Sequence, residues 1–277
     1  MASSNMKVRD GTRLVYEIHG AADARSRLVL IHSLGMDRAF WAPVIERLTA
    51  EQGAGLAILA YDCRGHGKSD KPAGPYRVEG FADDLADLMD HVGWRSAIVA
   101  GASMGGSIAL AFAAAYPARV EALGLFDTTA WYNAPDKWEE RAAKSENAGL
   151  KEMIDFQVTR WFTDGFRTAR PDIVKDSVDV LLANRPGAYA ETCRMLGVFN
   201  LTAALPRITV PTHIVVGDED YATPVAMAET LHRGIAGSTL TVLTGARHLT
   251  PLETPERVAA ELTRLINMAA AASAGAA

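Results

Sequence analysis

Cysteine is nearly absent from this chain of 277 residues: only Cys63 and Cys193 occur, and they form no C-x-x-C pair. That excludes a disulfide framework and a cysteine-built zinc site, and both residues read as core positions in a reducing compartment. Charge of one sign is also lacking. Lysine and arginine number 28 against 33 acidic residues, a net charge of −5. No nucleic acid or acidic membrane is expected as partner, and an anionic ligand must be met by a local cation. No apolar run approaches the roughly 20 residues of a membrane span. Met1 to Asp10 lacks the apolar core of a signal peptide, so the expected location is cytoplasmic, with no membrane partner. No spacing of metal ligands stands out, and neither metal nor cofactor is expected.

What remains is an ordinary globular composition, 49% hydrophobic and 22% charged. A chain of this length buries roughly three quarters of its unfolded surface and needs no staples. Short apolar runs read as strands at Arg13 to Ile18, Leu28 to His32, Leu56 to Tyr61, Ala97 to Gly101 and Ala122 to Phe126. Amphipathic stretches alternate with them, such as Val78 to Val92 with Phe81, Leu85, Leu88, Met89 and Val92 at helical spacing. This alternation predicts a parallel sheet with helices on both faces. From about Trp131 to Leu205 the strands stop, and helical patterns follow one another between Pro135, Gly149, Gly165, Pro171, Pro186 and Pro206. Strands resume at Thr212 to Val216 and Thr239 to Leu243, and a last helix starts at Pro255. The expected organisation is an α/β core of residues 1–130 and 207–277 with a helical cap of residues 131–206. Such an insertion sits over the C-terminal strand ends, where α/β sheets bind ligands.

The chemistry centres on Gly101-Ala102-Ser103-Met104-Gly105, a G-x-S-x-G that ends an apolar strand and opens a helical run. In that context the serine sits on a tight strand-to-helix turn with its hydroxyl exposed above the sheet, which makes Ser103 the candidate nucleophile. A serine nucleophile needs a base and a group that orients the base. In this topology they follow at the ends of later strands, acid first and histidine second. Gly217-Asp218-Glu219-Asp220 follows one such strand and Gly245-Ala246-Arg247-His248 the other. His248 is the expected base. Of three adjacent carboxylates, Asp220 is the expected acid, with Asp218 and Glu219 as solvated loop or turn residues. Two backbone donors are needed for a developing oxyanion. The Met104 N–H, at a helix N-terminus, is one. The Leu34 N–H, in the loop His32-Ser33-Leu34-Gly35, is the other. His32 is expected to hold a loop by hydrogen bonding, and His66 to serve a turn.

These motifs, with the turn from Asp62 to Ser69, resemble the α/β-hydrolase superfamily over the chain up to about Leu265. The resemblance implies an α/β-hydrolase fold, with a mostly parallel eight-stranded sheet. More narrowly, Ser33-Leu34-Gly35, Gly74-Pro75-Tyr76, Trp138-Glu139-Glu140-Arg141 and the run from Arg160 to Arg167 resemble the β-ketoadipate enol-lactone hydrolases. That narrower resemblance implies attack of Ser103 on a lactone carbonyl, His248 as base and then as acid toward an enol leaving group, and hydrolysis of the acyl-enzyme. It also implies that Trp138 and Arg141 lie beside a substrate carboxylate, with Arg160 the next candidate. The partner is then a small anionic lactone or ester. Two departures stand out: His32 where asparagine is frequent, and Arg247 where a small residue usually precedes the histidine. The latter places a cation that perturbs His248 or binds an anion. Alternatives are a carboxylesterase or perhydrolase of broad specificity, and a small-molecule receptor that keeps a triad. The loop Leu34-Gly35-Met36 lacks the proline common in such perhydrolases, and Ser103 stands where dehalogenases carry aspartate. Nothing in the sequence specifies an oligomeric state.

Overall fold

The computed structural model describes residues 3–275. Eight strands form one sheet in the order β1-β2-β4-β3-β5-β6-β7-β8. They are β1 (Ser4–Lys7), β2 (Arg13–Gly20), β3 (Ser26–Ile31), β4 (Leu56–Asp62), β5 (Ala97–Ala102), β6 (Val120–Phe126), β7 (Thr212–Gly217) and β8 (Thr239–Leu243). β2 pairs antiparallel with β1 and β4, and every other pairing is parallel. The central strands β4 to β7 are buried along nearly their whole length, because helices cover both faces of a parallel sheet. β1 is a four-residue edge strand, too short and too exposed to announce itself by alternation.

The first helices are α1 (Ala42–Gln52), α2 (Val78–His91) and α3 (Met104–Ala115). A 3₁₀ turn precedes α1, capped by Asp37, whose carboxylate accepts from the Ala39 N–H at 2.9 Å. Between β6 and β7 the chain is helical: α4 (Pro135–Ala148), α5 (Ile154–Trp161), α6 (Asp164–Ala169), α7 (Pro171–Leu182) and α8 (Pro186–Val198). Proline opens α4, α7 and α8, where its missing N–H costs nothing. An isolated bridge between Trp131 and Asn200 closes the base of this segment. The chain ends with α9 (Val225–Gly234), α10 (Thr250–Glu253) and α11 (Pro255–Gly275). No helix among the described residues is long and apolar enough to cross a membrane.

One apolar core runs through the sheet and both helical layers. Cys63 and Cys193 are both buried in it as free thiols. At the C-terminal edge of the sheet the loops after β3, β5, β6, β7 and β8 converge, and the helices between β6 and β7 lie above them.

Candidate active site

β5 hands the chain to α3 through Ser103, which has φ of +54°. Few residues other than glycine occupy that region, and strain of this kind persists only where the surroundings enforce it. The enforcement is visible. A side chain on Gly101 would collide with the Gly105 carbonyl, and one on Gly105 with the Ile31 carbonyl. The Ser103 N–H donates to the Phe126 carbonyl at 2.9 Å, and its own carbonyl accepts from Thr128 Oγ1 at 2.8 Å. The hydroxyl is thereby held upright at the sheet edge.

His248 Nε2 lies 2.9 Å from Ser103 Oγ, and His248 Nδ1 lies 2.8 Å from Asp220 Oδ2. All three residues are buried. Asp220 also accepts from the Ala222 N–H (2.7 Å), the Thr223 N–H (2.9 Å) and Thr223 Oγ1 (2.7 Å). Four donors on one carboxylate fix its orientation. The neighbouring carboxylates are committed elsewhere. Asp218 accepts from the Gly245 N–H at 2.7 Å, and Glu219 pairs with Arg247 at 2.8 Å. Asp218 and Glu219 both lie in the turn after β7, as expected, and the partly exposed Glu219 is in addition an ion-pair partner.

Ser33 and Leu34, from the loop after β3, line the cavity above Ser103. Neither the Leu34 N–H nor the Met104 N–H has an acceptor among the described residues. Met104 is the first residue of α3, one of the helix positions whose amide has no intrahelical partner. His32 is buried, with Nδ1 against the Ser33 carbonyl (2.8 Å) and Nε2 accepting from the Cys63 N–H (3.0 Å). These bonds describe a neutral imidazole that pins the loop to the end of β4, and burial keeps its pKa below the usual value.

The opposite wall comes from the helices between β6 and β7. Tyr132, Trp138, Arg141, Gln157, Arg160 and Trp161 all reach the cavity. The sequence places Arg141 in a charged run, yet its side chain turns inward. Its guanidinium donates to Tyr189 Oη through Nε (2.8 Å) and Nη2, and lies over the rings of Trp138 (5.0 Å), Tyr189 (5.4 Å) and Phe156 (5.9 Å). Arg160 lies over the same Phe156 ring at 5.0 Å and donates to the Tyr221 carbonyl at 3.1 Å. Among the described residues neither guanidinium has a carboxylate partner. Burial and then the like charge of Arg141 hold the Arg160 pKa below the usual guanidinium value. Two cations without carboxylate partners thus face one cavity, an arrangement that could hold an anion.

Arg247 is no third anion site. It is buried, and its Nη1 donates to the carbonyls of Thr159 (2.8 Å) and Phe162 (2.9 Å). Its Nη2 meets Glu219, and the guanidinium lies 4.7 Å from the centre of the Tyr221 ring. These contacts consume the cation and tie α5 and its C-terminal extension to the loops after β7 and β8. Tyr132, Gln157 and Tyr189 had no mark in the sequence. Asp127 had one, being a carboxylate directly after an apolar strand whose neighbours end in polar chemistry.

No cluster among the described residues has the composition to hold a metal ion. The arrangement can take a proton from a serine hydroxyl, hold the resulting imidazolium beside a carboxylate, and offer two amides to a developing oxyanion.

The chain is similar to known hydrolases. "3-Oxoadipate enol-lactonase 2" of Acinetobacter baylyi is 32% identical over 88% of this chain and 89% of its own length. "Putative carbamate hydrolase RutD" of Variovorax paradoxus is 30% identical over 85% of this chain and 89% of its own. The crystal structure of the enol-lactonase from Burkholderia xenovorans LB400 superposes with a TM-score of 0.90 at 31% identity, covering 95% of this chain and all of that one. The model of the "Alpha/beta hydrolase family" matches residues 28–261. With its serine on the turn after β5 and that family model covering most of its length, the chain belongs to the alpha/beta hydrolase family.

Proposed function

We propose that this hydrolase opens a small enol-lactone that carries a carboxylate. The observation that carries the reading is the pair of guanidiniums, Arg141 and Arg160, that face Ser103 and His248 across one cavity without a counterion. The relatives named as enol-lactonases, at about one third identity, favour the same substrate class. The proposed cap, residues 131–206, supplies both arginines and covers the proposed core of residues 1–130 and 207–277.

In the proposed mechanism His248 takes the Ser103 proton as Oγ attacks the lactone carbonyl. Asp220 holds the imidazole in one tautomer and stabilises its cation. The Leu34 and Met104 amides receive the oxyanion, each worth roughly 3 kcal/mol. Collapse expels the enol oxygen, which His248 protonates, and the enol becomes a ketone. Water, deprotonated by His248, then releases the acyl group as a second carboxylate. An enol is a good leaving group, so discrimination rests on binding. Arg141, stacked on Trp138, takes the substrate carboxylate, and Arg160 adds to the field.

The test is kcat/KM for paired enol-lactones of equal ring size, with and without a carboxylate. A charge-assisted bond of roughly 1.5–3 kcal/mol predicts a preference of roughly 10- to 100-fold for the carboxylated member. Equal rates would leave a general esterase as the better reading.

A further inference from the structure

Asp127 follows the last residue of β6 and is fully buried, with φ of +46°. Its amide donates to the Val215 carbonyl at 2.8 Å, so its backbone continues the parallel pairing toward β7. One carboxyl oxygen accepts from the Gly217 N–H at 3.1 Å, and the other meets Thr250 Oγ1 at 2.5 Å. Gly217 opens the turn that presents Asp220, whose N–H returns to the Gly217 carbonyl at 3.2 Å. Thr250 lies two residues beyond His248 and opens α10. The next residue, Thr128, holds the Ser103 carbonyl. Two consecutive residues after β6 therefore touch all three loops that carry Ser103, Asp220 and His248, and no other step of the proposed reaction uses them.

We infer that Asp127 is a positioning residue, whose buried carboxyl fixes the spacing between the Asp220 loop and the His248 loop and acts as a neutral acid. The inference rests on the triad reading above. A side chain that only filled space would need neither oxygen. The neutral state follows from its surroundings. Its partners, an amide and a hydroxyl, both donate to it and favour the ionised form, but less than burial opposes it, and no cation lies among them. The charged group that faces it is Asp220, on the loop after β7, and His248 is already paired with that group. Two buried carboxylates side by side do not both ionise readily. Burial first, and then the like charge of Asp220, push the Asp127 carboxyl well above the usual range. A neutral Asp127 leaves Asp220 as the one negative partner of the imidazolium.

The test compares Asp127→Asn, Asp127→Ala and Thr250→Val with the parent enzyme on one ester or lactone, over a full pH range. Asparagine keeps an acceptor for Gly217 and a donor for Thr250, so it is the isostere of the neutral acid. Thr250→Val removes the same tie without touching the left-handed residue, and keeps the test valid should the alanine variant fail to fold. The expected result is a fall in kcat of about tenfold or more in Asp127→Ala and Thr250→Val, with KM changed by less than about threefold. Asp127→Asn recovers most of the rate, and the acid limb of its pH profile stays in place. Parent-like kcat in both Asp127→Ala and Thr250→Val overturns the positioning role. A loss in Asp127→Asn equal to that in Asp127→Ala, or a downward shift of its acid limb, overturns the neutral state, because removing a nearby negative charge lowers the pKa of the base. Ser103→Ala, assayed in parallel, decides the triad reading by itself: full turnover there sinks that reading whatever the Asp127 variants do.

Discussion

Trp161 and His248 are joined through the main chain: the Trp161 carbonyl accepts from the His248 N–H at 3.2 Å and from the Leu249 N–H at 3.1 Å. The helical segment between β6 and β7 that walls the cavity is thus also the acceptor that holds the loop of the candidate base. Glu253 reinforces the join, accepting from the Thr163 N–H (2.8 Å) on one side and the Arg247 N–H (2.6 Å) on the other.

Removing the largest of these ties should loosen both partners together. Arg247→Met deletes the bonds to the Thr159 and Phe162 carbonyls and leaves Glu219 without its cation. The expected cost is about 2–4 kcal/mol of stability. Denaturant titration measures it, and amide exchange should quicken at Thr159 to Thr163 and at His248 together. Faster exchange at one site alone would show that the two are not coupled.

Ser103→Ala should leave the fold intact, since the hydroxyl's one partner among the described residues is His248, and abolish ester and lactone turnover. A loss of at least about 10⁴-fold in kcat is expected of a nucleophile acting with its base as a unit. Burst kinetics with a nitrophenyl ester check the same point, because the acyl-enzyme burst should vanish with the hydroxyl.

Arg141→Met should reduce the preference for carboxylated over neutral lactones by roughly 10- to 100-fold, the worth of one charge-assisted bond. Measured as a ratio of kcat/KM values, the effect separates recognition from packing. A loss shared equally by both substrates would make Arg141 a support for Tyr189 and nothing more.

The buried histidines set an acid limit on stability. His66 Nδ1 faces the Arg64 carbonyl at 3.1 Å, and its buried Nε2 has no partner among the described residues. Burial, then the nearness of a second buried imidazole, His32, push its pKa down to about 3. The unfolded chain therefore takes up a proton below about pH 6.5 that the folded chain refuses, and stability falls as the pH drops from there toward 3. The slope is about 1.4 kcal/mol per pH unit for this residue. Chemical denaturation at pH 7 and pH 5 should reveal it, and His66→Gln should flatten the difference. An unchanged slope in that variant would assign the acid sensitivity to other groups.

Much of the fold was legible because its signals are local. The strands from β2 to β8 are apolar runs with sharp ends, and the strand–turn–helix join at Ser103 needs glycine at fixed offsets. Ser103, Asp220 and His248 could be read together because each stands at the end of such a strand. The edge strand Ser4–Lys7 escaped, since four exposed residues carry no periodicity. The inward turn of Arg141 was legible only through the resemblance, not from its own helix. On a helix with lysine and glutamate around it, burial of one guanidinium depends on Tyr189 and Phe156, which the chain supplies 48 and 15 residues later. Arg247 read as a free cation beside the histidine for the same reason, because its acceptors are main-chain carbonyls of α5 that no side-chain pattern reveals.

The uncompensated guanidiniums of the cavity sit inside a protein whose net charge is −5. At long range the molecule repels the anion that its cavity would hold, and the attraction takes over only near the mouth. Salt screens the first effect over a Debye length of about 8 Å at physiological strength and reaches the half-buried arginines less. Encounter should therefore quicken with ionic strength while the bound complex changes little, the reverse of the usual behaviour of a cationic enzyme with an anionic ligand.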